Sequence, residues 1–216
     1  MTEPPRATFP ARDAAAGPAD LTLTPIGEPT RLRADAARNR RRLLEVAAEL
    51  AAEYGVANVT MEAVATAAEV GKGTVFRRFG DRAGLMLSLL DHIEQQLQAA
   101  FLTGPPPLGP DAPAAERLRA FGPAVLRHEH AHRDLYIAAR KEQTRRFNPS
   151  YQLRLTHLTL LLRAVGAPGD VDLVAHTLLG YLDTTLADHL LTAQRLPMER
   201  LDACWHDLVD RLGAPA

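Results

Sequence analysis

Basic side chains are concentrated in one stretch of this 216-residue chain, between residues 31 and 82. That stretch carries 10 lysines and arginines against 7 acidic residues, although the whole chain has a net charge of −1. Guanidinium and ammonium groups bind phosphate through charge-assisted hydrogen bonds, so the clustering indicates a phosphate-facing surface. On charge alone, a solvated helix face stays the alternative. The basic residues are Arg31, Arg33, Arg38, Arg40, Arg41, Arg42, Lys72, Arg77, Arg78 and Arg82.

Three predicted helices position these side chains. The first runs from Asp35 to Tyr54, where apolar residues recur at helical spacing along one face. The second is short and begins after Thr60, because threonine is a residue type that caps helix N-termini. The third follows a turn at residues 69–71 and runs from Lys72 to Phe79.

The outer face of the third predicted helix suits a close approach to another molecule. Val75 and Phe79 are four residues apart and would be buried together, which leaves a basic and polar outer face. Gly73 stands in the first turn, although glycine costs about 1 kcal/mol relative to alanine in a helix. A structural three-helix bundle would share the apolar core but does not need this glycine. The pattern therefore favours a helix-turn-helix over residues 60–79, whose second helix enters the major groove of DNA.

The segment from Thr60 to Leu85, TMEAVATAAEVGKGTVFRRFGDRAGL, resembles the DNA-binding signature of the tetracycline-repressor (TetR) family. It implies an all-α fold, with a three-helix helix-turn-helix DNA-binding domain over residues 31–80. A long helix would join this domain to a helical ligand-binding and dimerisation domain over residues 81–216. Residues 1–30 contain six prolines and no apolar period, which predicts a flexible N-terminal arm.

The resemblance also implies which residues contact DNA. Lys72 and Arg77 are candidates for guanine edges, and Arg31 and Arg33 for an adjacent minor groove. Phe76 departs from the family pattern, because a tyrosine that reaches a phosphate is usual there. Glycine and serine are usual where this chain has Glu69 and Gly71. The implied DNA-binding residues are Thr60, Met61, Lys72, Gly73, Thr74, Phe76, Arg77, Arg78, Arg31 and Arg33.

The remainder of the chain also predicts helices, and nothing in it predicts a strand. Asp81 is a suitable N-cap for a long helix that ends before the proline-rich run at residues 104–107. Further helices are predicted at residues 114–129, 131–144, 149–165, 171–193 and 198–212, separated by proline, glycine and capping residues.

Family members pair their last two helices in a four-helix dimer interface, and both of these predicted helices carry an apolar stripe. A homodimer also follows from DNA binding, because two-fold proteins read two half-sites. The alternative is that both stripes face the chain's own core. The stripes are Val171, Val174, Leu178, Leu182, Leu186 and Leu190 in one helix, and Leu201, Trp205, Leu208 and Leu212 in the other.

The middle helices are expected to enclose a mostly apolar pocket for a small-molecule effector of unknown identity. Each candidate could equally be an ordinary core residue. Arg140 and His176 would be informative if they face inward, since a buried charge needs an acidic ligand or neighbour. The candidate ligand-binding residues are Phe121, Tyr136, Arg140, Phe147, Tyr151, His176, Tyr181 and Thr184.

These expectations combine into a dimeric repressor that an effector releases from palindromic, double-stranded operator DNA. Two alternatives stay open: a regulator controlled by a protein partner instead of a small molecule, and a transcriptional activator. The sequence has no phosphate loop, nucleophile elbow or zinc signature, so we expect no enzymatic activity and no cofactor.

Three further features bear on the setting of the protein. Only His128 and His132 share a helix face among the nearby histidines, so no metal site is expected. Cys204 is the single cysteine and is predicted to be a small buried hydrophobe in a reducing compartment. Without an apolar run of about 18 residues, no membrane association and a cytoplasmic location are expected.

Overall fold

Helices make up the regular structure of the described part of the chain, residues 28–140 and 149–213 of the computed structural model. None of these residues lies in a strand, which confirms the all-α prediction. Residues 56–58 form a 3-10 turn, and residues 189–193 form a π-helical turn. The α-helices are α1 (Glu28–Tyr54), α2 (Met61–Ala67), α3 (Lys72–Phe79), α4 (Arg82–Thr103), α5 (Ala114–Ala131), α6 (Arg133–Arg140), α7 (Pro149–Ala164), α8 (Val171–Tyr181), α9 (Thr184–Asp188) and α10 (Met198–Gly213).

Helix α1 begins at Glu28, earlier than the predicted start at Asp35. Pro29 stands in its first turn, where the fixed φ of proline suits a helix and its missing N–H is not needed. The helix therefore enters the segment predicted as a flexible arm, and residues 1–27 of that arm lie outside the described residues. Arg31 and Arg33 lie on α1, but their side chains are outside the described part as well.

Side-chain caps fix the starts of α2 and α4. Thr60 Oγ1 accepts a hydrogen bond from the Ala63 amide at 3.0 Å. Asp81 Oδ1 accepts one from the Gly84 amide at 2.8 Å. Each cap satisfies an amide that the first turn of a helix leaves open, so both predicted N-caps are confirmed.

The turn between α2 and α3 closes through backbone hydrogen bonds. The Glu69 amide donates to the Thr66 carbonyl at 3.1 Å, and the Val70 amide donates to the Ala65 carbonyl at 3.0 Å. This Schellman arrangement needs a left-handed residue after the helix, and Glu69 adopts a φ of 55° there. The strain explains why glycine is usual at this position, since only glycine adopts that conformation without a steric cost.

Residues 37–216 form one compact unit that contains two hydrophobic clusters. The first cluster packs α1, α2 and α3 against the first half of α4, through residues such as Leu43, Val64 and Val75. The second packs the other half of α4 with α5, α7, α8 and α10. The change occurs within one turn of α4, since Ile93 belongs to the first cluster and Leu97 to the second. A displacement of α4 therefore affects both clusters.

Trp205 holds α10 against α5 at the centre of the second cluster. Its side chain is fully buried, and its Nε1 donates to the Leu118 carbonyl at 3.0 Å. The indole ring lies directly against Gly122 of α5, where an added Cβ would overlap with the ring. The absence of a side chain at Gly122 thus allows the two helices to approach closely.

The prediction of one continuous helix over residues 171–193 is wrong. Leu182 ends α8, and Asp183 starts α9 because its carboxylate accepts hydrogen bonds from the Thr185 and Leu186 amides. An aspartate that bonds nearby amides in this way competes with continuation of the preceding helix. The capping signal lies within an apolar stripe, where periodicity alone favours one long helix.

Most of the two predicted partner-facing stripes lie in the second hydrophobic cluster instead. The chain itself buries Leu178, Leu182, Leu201 and Trp205. Leu186 differs, with 41% of its side chain exposed. The alternative that the stripes face the chain's own core therefore holds for these four buried residues.

The outward faces of α8 and α10 carry small and apolar residues. Leu173 on α8 is 63% exposed, and Thr177 and Gly180 follow it on the exposed side. Ala203 and Cys204 are exposed on α10, so the prediction that Cys204 is buried is wrong. The buried apolar residues of α10 follow the spacing 201, 205 and 209, and position 204 falls beside that stripe.

Candidate nucleic-acid interface and ligand pocket

Helix α3 turns two apolar residues inward and exposes its opposite side. Val75 is fully buried and Phe79 is 8% exposed, so both hold the helix in the first cluster. Gly73 has no other atom near the position where a Cβ would be, so its surface is open to a partner. The exposed residues are Lys72, Gly73, Phe76 and Arg77, while Thr74 and Arg78 are half-buried.

Lys72, the predicted base-reading lysine, is engaged within the protein. Its ammonium group forms an ion pair with Glu62 of α2 and lies 5.6 Å from the ring centroid of Phe76. The hydrogen bond from Lys72 lowers the pKa of Glu62. More than half of each charged side chain is exposed, so the pair is a weak surface contact that DNA can displace. Phe76 presents an exposed ring beside this cation in place of the tyrosine hydroxyl.

Two arginines of the basic stretch bond to groups within the helix-turn-helix. Arg40 donates to Ser88 Oγ at 2.8 Å and places its guanidinium 5.1 Å from the ring centroid of Phe79. Arg82 donates to the Val59 carbonyl at 3.0 Å. Both guanidinium groups thus have partners within the protein, and the expectation that the basic stretch faces phosphate stays a prediction. Exposed cations remain on α1 at Arg38, Arg41 and Arg42.

At the start of α2, the side chains of Thr60 and Met61 are less available for a DNA contact than the backbone. The Thr60 hydroxyl oxygen is used in the N-cap, and Met61 is 3% exposed because it packs in the first cluster. The implied contact between phosphate and backbone amides at these residues stays a prediction.

The candidate ligand-binding residues that the structure describes make several separate contacts. Phe121 is fully buried against Phe101, with ring centroids 5.4 Å apart. The Tyr151 hydroxyl and His176 Nδ1 form a hydrogen bond of 2.7 Å. The Tyr181 hydroxyl donates to the Leu201 carbonyl at 2.6 Å. Arg140 and Phe147 have side chains outside the described part of the chain. Tyr136 and Thr184 are the remaining candidates.

Thr184 lines an open pocket between α5, α6 and α9. The space within the pocket is about 10 Å³, which is room for about one water molecule, and the rest is open to solvent. Its walls are partly apolar, and its rim carries the ion pair between Arg133 and Asp188. The remaining lining residues are Leu126, Glu129, His130, Ala187 and Leu191.

Behind this pocket lies a buried ionic cluster of Glu94 on α4, Glu129 on α5 and Arg154 on α7. Arg154 Nη1 donates to Glu129 Oε1 at 2.5 Å, and Nη2 donates to the two Glu94 carboxylate oxygens at 2.9 and 3.0 Å. The Tyr136 hydroxyl donates to Glu94 Oε1 at 2.5 Å, and the Thr184 hydroxyl donates to Glu129. The cluster therefore connects the pocket to α4.

Burial determines the electrostatics of this cluster. Glu94, Glu129 and Arg154 are 7%, 5% and 8% exposed. Desolvation raises the pKa of Glu129, while the nearby Arg154 opposes this rise. Desolvation and the neighbouring Glu94 also raise the pKa of Tyr136, which keeps its hydroxyl protonated as a donor.

None of these three charged residues was among the sequence candidates, although the sequence carries a signal for them. Arg154 precedes Leu158 and Leu161 at helical spacing, so it occupies a core position. Glu94 stands three residues before Leu97 on α4, so it lies on the buried face of that helix as well. A charged residue at a core position indicates a buried partner of opposite charge.

The nearby histidines pack as neutral rings. His128 and His132 have ring centroids 5.0 Å apart, and desolvation lowers the pKa of His128 to about 4. His157 packs between Phe101 and Phe121, and desolvation lowers its pKa to about 4 as well. Within the described ranges, no three His, Cys, Asp or Glu residues gather as metal ligands.

Comparison with known sequences places the helix-turn-helix in a family. Residues 43–89 match the model of the bacterial regulatory proteins of the tetR family. An HTH-type transcriptional regulator of Staphylococcus aureus (strain USA300) is 41% identical over 54 residues, which are 25% of this chain and 29% of that protein. The chain thus matches less than a third of the length of this curated relative.

Solved structures extend the similarity of fold beyond the helix-turn-helix. A Rhodococcus protein assigned to the TetR family of transcriptional regulators has a TM-score of 0.63 at 20% identity, over 82% of this chain and all of that one. The TetR transcriptional regulator SCO0520 of Streptomyces coelicolor has a TM-score of 0.54 at 23% identity, over 82% of this chain and 99% of its own.

A Saccharomonospora viridis protein assigned as a transcriptional regulator, solved in complex with choline, has a TM-score of 0.57 at 19% identity. It covers 81% of this chain and 96% of its own. No helix in the described part of the chain is long and apolar enough to span a membrane. The helix-turn-helix segment, with its capped α2 and exposed α3, therefore matches the tetR family of bacterial regulatory proteins over residues 43–89, and the all-α fold of the described chain is similar to that of solved TetR-family regulators.

Proposed function

We propose that this protein is a dimeric, sequence-specific transcriptional repressor that a small-molecule effector releases from palindromic operator DNA. The observation that carries the proposal is the outer face of α3, which exposes Lys72, Phe76 and Arg77 while Val75 and Phe79 anchor it from behind. A rigid helix with an exposed basic face fits the major groove of B-DNA.

The individual contacts divide into those that read bases and those that bind phosphate. Lys72 and Arg77 can reach guanine edges through the open surface at Gly73. Arg78 is half-buried at the side of α3 and suits a phosphate. Phe76 can contact a sugar or a thymine methyl, but it cannot donate the hydrogen bond that a tyrosine would.

A homodimer would present two such helices to two half-sites. The outward faces of α8, α9 and α10 support this assembly, because Leu173, Leu186 and the small residues Gly180 and Ala203 leave an apolar surface that a second copy could cover. Of the two predicted apolar stripes, the interface would then use Leu186, together with residues outside the stripes.

An effector is supported by the choline complex of the Saccharomonospora viridis protein of similar fold. That complex favours small-molecule control over control by a protein partner. An activator would use the same contacts at a different site relative to the promoter.

The proposal is tested by selecting bound sequences from random double-stranded DNA with the full chain, followed by footprinting. We expect a palindromic site bound by two copies. Arg77→Ala should weaken binding by about 10- to 100-fold and relax the preference at one base pair of each half-site. Arg78→Ala should weaken binding to all DNA sequences equally.

Arg163→Ala is the matched control, since Arg163 is an exposed arginine on α7, outside α1 to α4. Its affinity for the selected site should equal that of the wild type. A chain that selects no common sequence, or that binds its site as a monomer, would contradict the proposal.

A further inference from the structure

A carboxylate stands beside the surface proposed to face DNA. Glu62, in the first turn of α2, forms an ion pair with Lys72, the first residue of α3. The side chain of Glu62 is 55% exposed, so it is accessible next to the outer face of α3. DNA phosphates repel an exposed carboxylate. Glu62 therefore opposes DNA binding unless a donor on the DNA meets it.

Buried neighbours hold both partners of this pair in place. On α2, Met61 is 3% exposed and Val64 is fully buried, which turns Glu62 outward between them. On α3, the fully buried Val75 fixes the rotation of the helix. The ammonium group of the pair also lies 5.6 Å from the ring centroid of Phe76. The carboxylate and the ammonium group are therefore side by side before DNA binds.

The ion pair leaves hydrogen-bonding capacity on both partners. An ammonium group has three N–H donors, and Lys72 uses one of them on Glu62, so two remain for acceptors outside the protein. The Glu62 carboxylate has a second oxygen, and the hydrogen bond from Lys72 lowers its pKa, which keeps it ionised at neutral pH. The pair therefore presents donors directly beside an acceptor.

This arrangement of groups matches the major-groove edge of one base pair. A G·C pair presents the guanine acceptors N7 and O6 next to the N4 amino group of cytosine, which is a donor. Guanine thus offers two acceptors to the two remaining ammonium donors, and the cytosine amino group suits the carboxylate. Adenine offers one acceptor in this groove, and the thymine acceptor stands beside a methyl group. The pair is therefore complementary to G·C rather than to A·T.

We propose that Glu62 and Lys72 together read one G·C pair of each half-site, with Lys72 on guanine and Glu62 on the amino group of cytosine. Glu62 is then a specificity-determining residue, although it was not among the sequence candidates. On other sequences its carboxylate meets DNA without a donor, so those sequences bind more weakly. This inference rests on the proposed function, because it requires α3 in the major groove.

The first test compares the sequences that the full chain and its variants select from random double-stranded DNA. We expect a G·C pair at one position of each half-site, and this preference should fall by about tenfold in Glu62→Ala. The same variant should bind unrelated DNA several-fold more tightly, since a negative charge is removed from the surface. Glu116→Ala, at an exposed site on α5, removes the same charge and should leave both properties unchanged.

A modified base locates the carboxylate. N4-methylcytosine still pairs with guanine, but its methyl group replaces the amino hydrogen that points into the major groove. The wild type should bind a site with this base at the selected position about tenfold more weakly than the unmodified site. Glu62→Ala should bind both sites equally. An equal loss in both proteins would show that the methyl group is only a steric obstacle, and it would overturn the contact.

A double-mutant cycle on the selected site tests whether the two residues act together. In the wild type, Glu62→Ala should weaken binding several-fold, because the contact to cytosine is lost. In Lys72→Ala, the same substitution should strengthen binding several-fold, because it removes a carboxylate that has no cation beside it. Effects of the same sign and size in both backgrounds would show that the residues act independently and would contradict joint reading.

The outcomes distinguish this inference from the proposed function. A chain that selects no common sequence overturns both. A selected site with the same base preferences in wild type and Glu62→Ala leaves the proposed function standing and overturns base reading by Glu62.

Discussion

Charged side chains are exposed near one end of α4 and buried near the other. At the helix-turn-helix, Lys72 and Arg77 are exposed on α3, and their partners are weak surface contacts or solvent. At the other end, Arg154 and its two glutamates are buried and fully engaged with one another. Exposed cations are available for a polyanion, whereas buried ones hold helices in place. The same residue type therefore serves binding in one region and architecture in the other.

Removal of a buried arginine should lower the free energy of unfolding far more than removal of an exposed one. Arg154→Met should destabilise the fold by about 3–5 kcal/mol, because it leaves two buried carboxylates without a cation. Arg163→Met, on the same helix, removes only a surface pair with Asp172 and should cost about 0–1 kcal/mol. Urea unfolding of both variants measures the difference, and equal free energies of unfolding would show that the cluster does not stabilise the fold.

The sequence predicts the helix-turn-helix better than it predicts the buried cluster around Arg154, because the two depend on interactions over different distances along the chain. The caps at Thr60 and Asp81 and the turn at Glu69 depend on neighbours within a few residues, so the helix-turn-helix was predictable in detail. The cluster around Arg154 joins residues far apart in the chain, and local periodicity does not identify partners. The helix break at Asp183 was missed because the apolar stripe continues across it.

The second cluster offers a steric test of intermediate size. Gly122→Ala places a methyl group where the Trp205 ring lies, and we expect a loss of about 1–3 kcal/mol from overpacking. Gly180→Ala is the control, since no atom lies near the position of its Cβ. The control should gain up to about 1 kcal/mol from helix propensity. Equal melting temperatures of the two alanine variants would show that α5 and α10 have room for a methyl group between Gly122 and Trp205.

In the helix-turn-helix, the strained turn can be relieved. Glu69→Gly should stabilise the protein by about 1 kcal/mol, because glycine adopts a φ of 55° without the steric cost borne by glutamate. Thermal unfolding measures the gain. Glu53→Gly, an exposed position within α1, is the opposite control and should lose about 1 kcal/mol. A loss of stability in Glu69→Gly would contradict the assigned turn.

The buried His157 should have the smallest effect on stability at neutral pH, and this effect should increase as the pH falls. His157 has a pKa of about 4 in the folded protein, below the usual 6.5, because burial disfavours its charged form. The unfolded chain binds the proton first, so stability falls as the pH drops from about 6.5 towards 4. His157→Phe should flatten this fall in melting temperature, since a phenyl ring fits between Phe101 and Phe121. The control His189→Gln, at an exposed site, should not.

The salt dependence of operator binding tests most directly whether α3 lies against DNA with Arg78 on a phosphate. We predict that the logarithm of the binding constant falls steeply with the logarithm of salt concentration. Replacing Arg78 with alanine should reduce the slope by about one, since one phosphate contact releases about one counterion. A slope near zero, or the same slope in wild type and Arg78→Ala, would contradict the claim.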